Sequence, residues 1–249
     1  MKGLKIAFLL FPLLVFSQNP TTLFQQGNAA YNGGNHTLAI EKYQAILGQN
    51  VHSAEVYFNL GNAHYKLGNV AESVYYFEQA KRLSPNDKTI QNNASFAGNM
   101  TLDAIEDLPK TQLEQLQSSI LLSLNINQWA YLSIVLAWVT LILFLVYRFN
   151  GTMLLKRVFF VFGCIFLIAT LVSISFSQQK ATLAKQQHGV IFTKEIEIWG
   201  EPNKRSEILF LLHEGTKLQI VDALEGWSKI RIANGSEGWI ENSAFKALD

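Results

Sequence analysis

Five histidines, a single cysteine and a closely spaced pair of glutamates are the residues in this chain best suited to chemistry. His36, His52, His64, His188 and His213 show no metal-ligand spacing with one another. Cys164 lies inside an uncharged apolar run, which rules out a thiol nucleophile in a soluble site and an internal disulfide. Glu195 and Glu197 alternate with Ile196 and Ile198, as on the solvent face of a strand. No nucleophile elbow, phosphate-binding loop or dinucleotide fingerprint is present. The residues that do recur are recognition residues. Asn28 and Tyr31 return as Asn62 and Tyr65, 34 positions later. Amides donate and accept hydrogen bonds, and aromatic rings offer apolar area at low entropic cost. The expected chemistry is non-covalent binding, with no enzyme activity, metal or cofactor.

The elements that position these residues are legible from periodicity. Gly27, Asn28, Ala29, Gly34 and Asn35 match Gly61, Asn62, Ala63, Gly68 and Asn69, each pair 34 residues apart. This is the period of one helix–turn–helix unit of a repeat array. In the second unit Tyr57, Leu60, Gly61 and His64 share one helical face, and Ser73, Phe77 and Ala80 share the next. Gly68 is placed to end the first of these helices, and Pro85 to stop the second. Residues 86–104 read as a capping helix, with Ile90, Ala94 and Ala97 on one stripe.

The composition is 49% apolar and 16% charged, and the apolar residues are concentrated in three places. Residues 1–17 carry Lys2 and Lys5 before an apolar core from Ile6 to Phe16, with Val15 and Ser17 as a cleavage pair. This is a secretory signal, or alternatively an uncleaved anchor. Trp129–Tyr147 and Val158–Phe176 are each 19 residues without charge, and at ~1.5 Å per residue each covers about 28 Å, close to the hydrocarbon thickness. Residues 148–157 hold Arg148, Lys156 and Arg157 and no acid. The two runs therefore form a transmembrane hairpin with its basic loop in the cytoplasm and both soluble parts outside it. The spans hold no ionisable residue, which disfavours a transporter or channel. Leu113, Leu116, Ile120, Leu121 and Leu124 make 109–128 an amphipathic juxtamembrane segment, set either in the lipid interface or against the repeat domain. Net charge is +1, and residues 18–128 hold 9 acids and 6 bases; this balance excludes a nucleic-acid surface.

After a linker over 177–187 the period changes to two. Lys194–Trp199, Lys217–Val221 and Trp227–Ile232 alternate polar and apolar residues, and Asn234-Gly235 is a hairpin turn signal. Residues 188–249 thus form a small β-barrel.

On Tyr57, Leu60, Gly61, Tyr65, Gly68, Phe77, Ala80 and Pro85, and on Leu23, Gly27, Tyr31, Ala39 and Tyr43, residues 18–108 resemble the tetratricopeptide family, with repeats at 21–54 and 55–88. The resemblance implies a partner-binding groove lined by Phe24, Asn28, Tyr31, Phe58, Asn59, Asn62, Tyr65 and Lys66. Phe58 replaces the lysine by which chaperone-binding members hold a terminal carboxylate. On Pro202, His213-Glu214-Gly215, Gly226-Trp227, Gly235 and Gly238-Trp239-Ile240 the C-terminal module resembles bacterial SH3-like domains. This implies cell-wall peptide or protein ligands at a surface that includes Trp227 and Trp239; packing roles also fit both tryptophans. The fold class is a multidomain α + β membrane protein of tetratricopeptide helices, a two-helix transmembrane hairpin and an SH3-like barrel. The order of these parts resembles the E-type members of the Bacteroides aerotolerance (Bat) operon family of Bacteroidetes. That resemblance implies a scaffold in the inner membrane with periplasmic domains, contacting lipid, other Bat proteins and von Willebrand A-type partners. Peptidoglycan is the alternative ligand.

Overall fold

Asn19 opens the first helix: its Oδ1 accepts from the Thr21 amide, and Pro20 takes the first helical position, where a missing N–H costs nothing. The computed structural model describes residues 19–106, 108, 109 and 111–248, so the signal read over 1–17 lies outside the described residues. Helices α1 (Pro20–Asn32), α2 (His36–Leu47), α3 (Ala54–Leu67), α4 (Val70–Leu83) and α5 (Lys88–Gly98) follow one another as antiparallel neighbours. Gly34 and Gly68 turn both repeats at φ 78° and 75°, a left-handed backbone that glycine adopts without steric cost. Gly27 and Gly61 have a different task. A Cβ on Gly27 would stand 2.5 Å from the Tyr43 ring, and one on Gly61 2.8 Å from Phe77. Helix α5 ends at Gly98, short of the 104 expected from the sequence, and its Ile90 and Ala97 are buried. The chain leaves helical geometry there, with the Thr101 hydroxyl donating back to the Gly98 carbonyl at 2.7 Å.

Helix α6 (Gln112–Ser123) begins with a Thr111–Glu114 capping box, and α7 (Ile126–Phe149) with an Asn125–Gln128 box. Helix α8 (Met153–Lys185) returns after only Asn150–Thr152. Both α7 and α8 are long and apolar enough to cross a membrane. The helices outrun the apolar runs. Arg148 lies in the last turn of α7, Lys156 and Arg157 lie in the first turns of α8, and the expected linker is helical as far as Lys185. The stretch is polar overall, but its Gln, Lys, Ala and Leu residues are good helix formers. At ~1.5 Å per residue, the 33 residues of α8 exceed a ~30 Å hydrocarbon core, so its last turns form a stalk.

The top of the hairpin is tied polar atom to polar atom. Ser133 Oγ lies 2.9 Å from Ser173 Oγ, and Ser173 also bonds the Trp129 carbonyl at 3.2 Å. Trp129 is buried against Phe176 and donates from Nε1 to the Leu121 carbonyl at 3.3 Å. Lys180 Nζ donates to the Leu121 carbonyl at 3.1 Å and to that of Leu124, which satisfies the exposed C-terminal end of α6. These bonds fix α6 to the hairpin. Its Leu113, Leu116 and Ile120 remain exposed beside the apolar girth of α7 and α8.

The C-terminal module is one antiparallel sheet: β1 (Gln187–Ile191), β2 (Glu195–Trp199), β3 (Ile208–His213), β4 (Lys217–Leu224), β5 (Trp227–Arg231), β6 (Glu237–Glu241) and β7 (Phe245–Ala247), in the order β3-β2-β6-β5-β4-β1-β7. Inward residues Ile191, Ile198, Leu212, Leu218, Ile230, Ile232 and Ile240 meet in a single core, so the sheet wraps around itself as a barrel. The Asn234-Gly235 turn joins β5 to β6, with Gly235 at φ 86°. The barrel docks on α4 and α5. Val190 is buried with Val74, Phe77 and Ala97, and Phe192 packs edge-on to Tyr75 at 5.7 Å between centroids.

Candidate functional site

The inner face of the helical array is built by α1, α3 and α5, which place residues 34 apart side by side. Two amide braces cross it. Asn28 Oδ1 accepts from Asn59 Nδ2 at 3.0 Å, and Asn62 Oδ1 accepts from Asn93 Nδ2 at the same distance. Asn28 Oδ1 also accepts from the Tyr43 hydroxyl at 2.7 Å. Burial pushes the Tyr43 phenol up to about 12, so the hydroxyl stays a donor at any physiological pH. Asn28, Asn59 and Asn62 are therefore half-buried helix braces.

The remaining groove residues divide by exposure. Tyr65 is 37% exposed and Lys66 is exposed; with Tyr31, Asn62, Asn93, Phe77 and Phe96 they line a hollow of about 260 Å³. Phe24 and Phe58 lie elsewhere. Phe24 packs at 5.9 Å against the Tyr43 ring and Phe58 at 5.8 Å against Phe77, each half-buried in a core cluster. Two lining residues went unread in the sequence, Asn93 and Phe96. Phe96 is 59% exposed and stands 34 positions after Asn62. Extending the repeat register into α5, rather than treating that helix as a cap, would have found both.

On the barrel, Trp227 and Trp239 stand on the outer face of β5 and β6, opposite the inward Ser228, Ile230, Gly238 and Ile240. Trp239 pairs with Lys229 on one side and with Trp199 of β2 on the other. Three half-buried tryptophans thus cross three adjacent strands. Glu237 takes bonds from Lys229 at 2.8 Å and from Arg231; these hold its carboxyl below the usual range and leave the strip nearly neutral. Trp199 was read as a strand residue only, and its alignment with Trp239 depends on β2–β6 pairing between segments distant in sequence.

A third feature joins the two modules. Asp103 Oδ2 accepts from the His213 amide at 2.7 Å and the Thr216 hydroxyl at 2.5 Å, and Oδ1 lies 2.7 Å from His213 Nδ1. Burial works against the Asp103 charge, but the Thr216 and His213 donors outweigh it and hold the carboxyl below its ordinary range. The bond to Asp103 in turn raises His213. Lys217 reaches Glu78 on α4 at 3.2 Å, beside the Lys81–Glu78 pair at 3.0 Å. Among the described residues no group of three or more His, Cys, Asp or Glu side chains is placed to hold a metal ion.

This geometry coincides with two family descriptions. Residues 24–88 match the tetratricopeptide repeat, and residues 200–246 match the bacterial SH3 domain, a match that begins after β1 and β2 although both complete the same sheet. No curated protein matches the chain significantly. Both matched domains are typically non-catalytic interaction domains that engage proteins or the cell wall. The chain is a multidomain α + β protein in which a tetratricopeptide repeat segment and a bacterial SH3 domain flank two helices long enough to cross a membrane.

Proposed function

We propose that the protein is a non-catalytic, membrane-anchored adaptor that captures protein partners in the groove of α1, α3 and α5. One observation carries this reading: the SH3 module docks on α4 and on Ala97 near the end of α5, and the groove hollow at Tyr65, Lys66 and Phe96 stays open. Asn62 and Asn93 supply backbone-type hydrogen bonding there, Tyr31 and Phe96 apolar contact, and Lys66 a positive edge. An extended peptide with an acidic group fits that set. The placement is the inner membrane, with both domains on the periplasmic side. Both domains attach at the same end of the hairpin, and the bases Arg148, Lys156 and Arg157 gather at the other. By its module order the protein acts in a Bat-type complex with von Willebrand A-type membrane partners.

The test is affinity purification of the tagged full chain from gently solubilised membranes, beside Tyr65→Ala/Phe96→Ala. Loss of membrane partners from the variant, with helix content unchanged, is the expected result. An unchanged partner set removes the groove from the proposal. A second reading rests on the strip of Trp199, Trp239 and Trp227, since flat rings stack on sugar faces: the barrel anchors the protein to peptidoglycan. Co-sedimentation of the full chain with purified wall material, abolished by Trp239→Ala, is its expected signature.

A further inference from the structure

After α5 the chain runs across the barrel without regular secondary structure, but not as a free tether. Asp103 is clamped by three donors of the β3–β4 turn, and Glu195 Oε2 lies 3.6 Å from the far nitrogen of His213. Two residues on, Ile105 packs against the barrel core. Leu108 covers the β5–β6 turn, where a Cβ on Gly235 would stand 3.2 Å from its Cδ1. The turn that holds Asp103 is itself shaped for close approach: Gly215 sits at φ 85°, and a Cβ there would stand 2.7 Å from Val70 and 2.8 Å from Thr101. The hold is made by side chains. Among the described residues of 102–109, the backbone–backbone bond that forms is local, from the Ile105 amide to the Asp103 carbonyl at 3.0 Å. Space also surrounds the segment. A hollow of about 520 Å³ reaches Asp103, Ile105 and Thr216, and another of about 550 Å³ reaches Leu108, Gly235 and Lys217. A carboxylate clamp, an apolar seat and a loose fit without ladder bonds are the marks of a bound peptide more than of a fold element.

We propose that this face of the SH3 module is a peptide-recognition site for a segment bearing an aspartate and, two residues later, a branched apolar residue, and that Asp103, Ile105 and Leu108 fill it in cis until a protein partner with the same chemistry exchanges with them. The proposal deepens the adaptor reading by naming the ligand of the second module, and its test is independent of partner capture. A tethered segment acts at an effective concentration of about a millimolar, so the intact chain should hide its site from free peptide.

The probe is a fluorescent peptide of residues 101–109, TLDAIEDLP, titrated by anisotropy into detergent-solubilised full chain. Asp103→Ala/Ile105→Ala, which empties the site, should bind it at least roughly tenfold more tightly than the unaltered protein, as expected from that effective concentration. A peptide with asparagine in place of Asp103 should bind the emptied protein far more weakly, and so should the intact peptide when Thr216→Val is added. Asp103→Asn alone serves as the milder emptying variant if the double variant melts early. Equal binding by emptied and unaltered chains, no binding by a folded emptied variant, or indifference to the asparagine change overturns the proposal. So does unfolding of both variants, which would make the segment an integral part of the fold.

Discussion

Tyr43 and Phe77 occupy the same place in the two repeats, 34 residues apart, and each ring fills the space left by a glycine, Gly27 or Gly61. Only Tyr43 carries a hydroxyl, and it is spent on Asn28, whose carbonyl already receives Asn59. At the matching place, among the described residues, Asn62 receives only Asn93. One asparagine position is therefore a saturated brace in the first repeat and a half-open one in the second. Identical residues at identical spacing do not imply identical roles. The exposed part of the groove lies toward α3 and α5, where Tyr65, Lys66 and Phe96 are exposed.

The comparison breaks most readily at the rings. Phe77→Ala should cost about 3–5 kcal/mol of stability, read as a fall in the helical melting temperature. Tyr43→Ala should cost a similar amount, but the two should differ in reach. Phe77 shares a cluster with Val190 of β1, whereas the cluster around Tyr43 draws on α1, α2 and α3 with Tyr76 of α4. Amide exchange at β1 should rise in Phe77→Ala and stay unchanged in Tyr43→Ala. Equal exchange in both variants would mean that the barrel does not depend on the second repeat for its position. Next come the glycines: Gly27→Ala and Gly61→Ala should each cost about 1–3 kcal/mol by overpacking, because the approaching atoms belong to rigid buried rings.

Much of this was legible beforehand for physical reasons. Gly27 and Gly61 stood out because a 34-residue period repeats both the small residue and its aromatic opponent. The membrane-length helices announced themselves by two runs without charge, and the strands by alternation. The stalk of α8 was hidden because polarity over 177–187 imitates a linker, although its residues favour helix. Trp129 is buried against Phe176, and no local pattern announced that contact because the partner lies on the second helix. The Asp103 clamp left no local signal at all. It joins residues more than a hundred positions apart, and neither Asp103 nor Thr216 belongs to a motif. The groove assignments were half legible for a related reason: sequence position selects a face of a helix but does not say which residues on that face are spent on one another.

The asparagines sharpen the comparison at smaller cost. Asn28→Ala should lower stability by about 1–3 kcal/mol, because it strands the buried Tyr43 hydroxyl. Asn62→Ala leaves only a half-exposed Asn93 amide unpaired and should cost less than about 1 kcal/mol. Partner capture should show the reverse order, with the larger loss from Asn62→Ala. If both substitutions destabilise equally and bind equally, the hydroxyl of Tyr43 is not what separates the repeats.

The smallest expected effect concerns the contact between the modules and is read by varying pH. Asp103 on the segment after α5 and Glu195 on β2 are the acidic groups facing His213, with Thr216 as the neutral third donor. His213 is raised in the folded state, so its contribution is fully present below its unfolded value near ~6.5 and fades as pH rises through the folded value. Asp103 is depressed, so its contribution is present above its unfolded value near ~3.9 and fades as pH falls through the folded one. The clamp should hold best in the mildly acidic window between them and loosen toward alkaline pH. Slower amide exchange at His213 near pH 5.5 than near pH 8, after correction for intrinsic rates, is the expected observation. His213→Gln should flatten the alkaline side of that profile while the amide and the Thr216 hydroxyl keep the acidic side. A profile unchanged by His213→Gln would assign the junction to Ile105 and the apolar packing on α4, with the charge pair contributing nothing measurable.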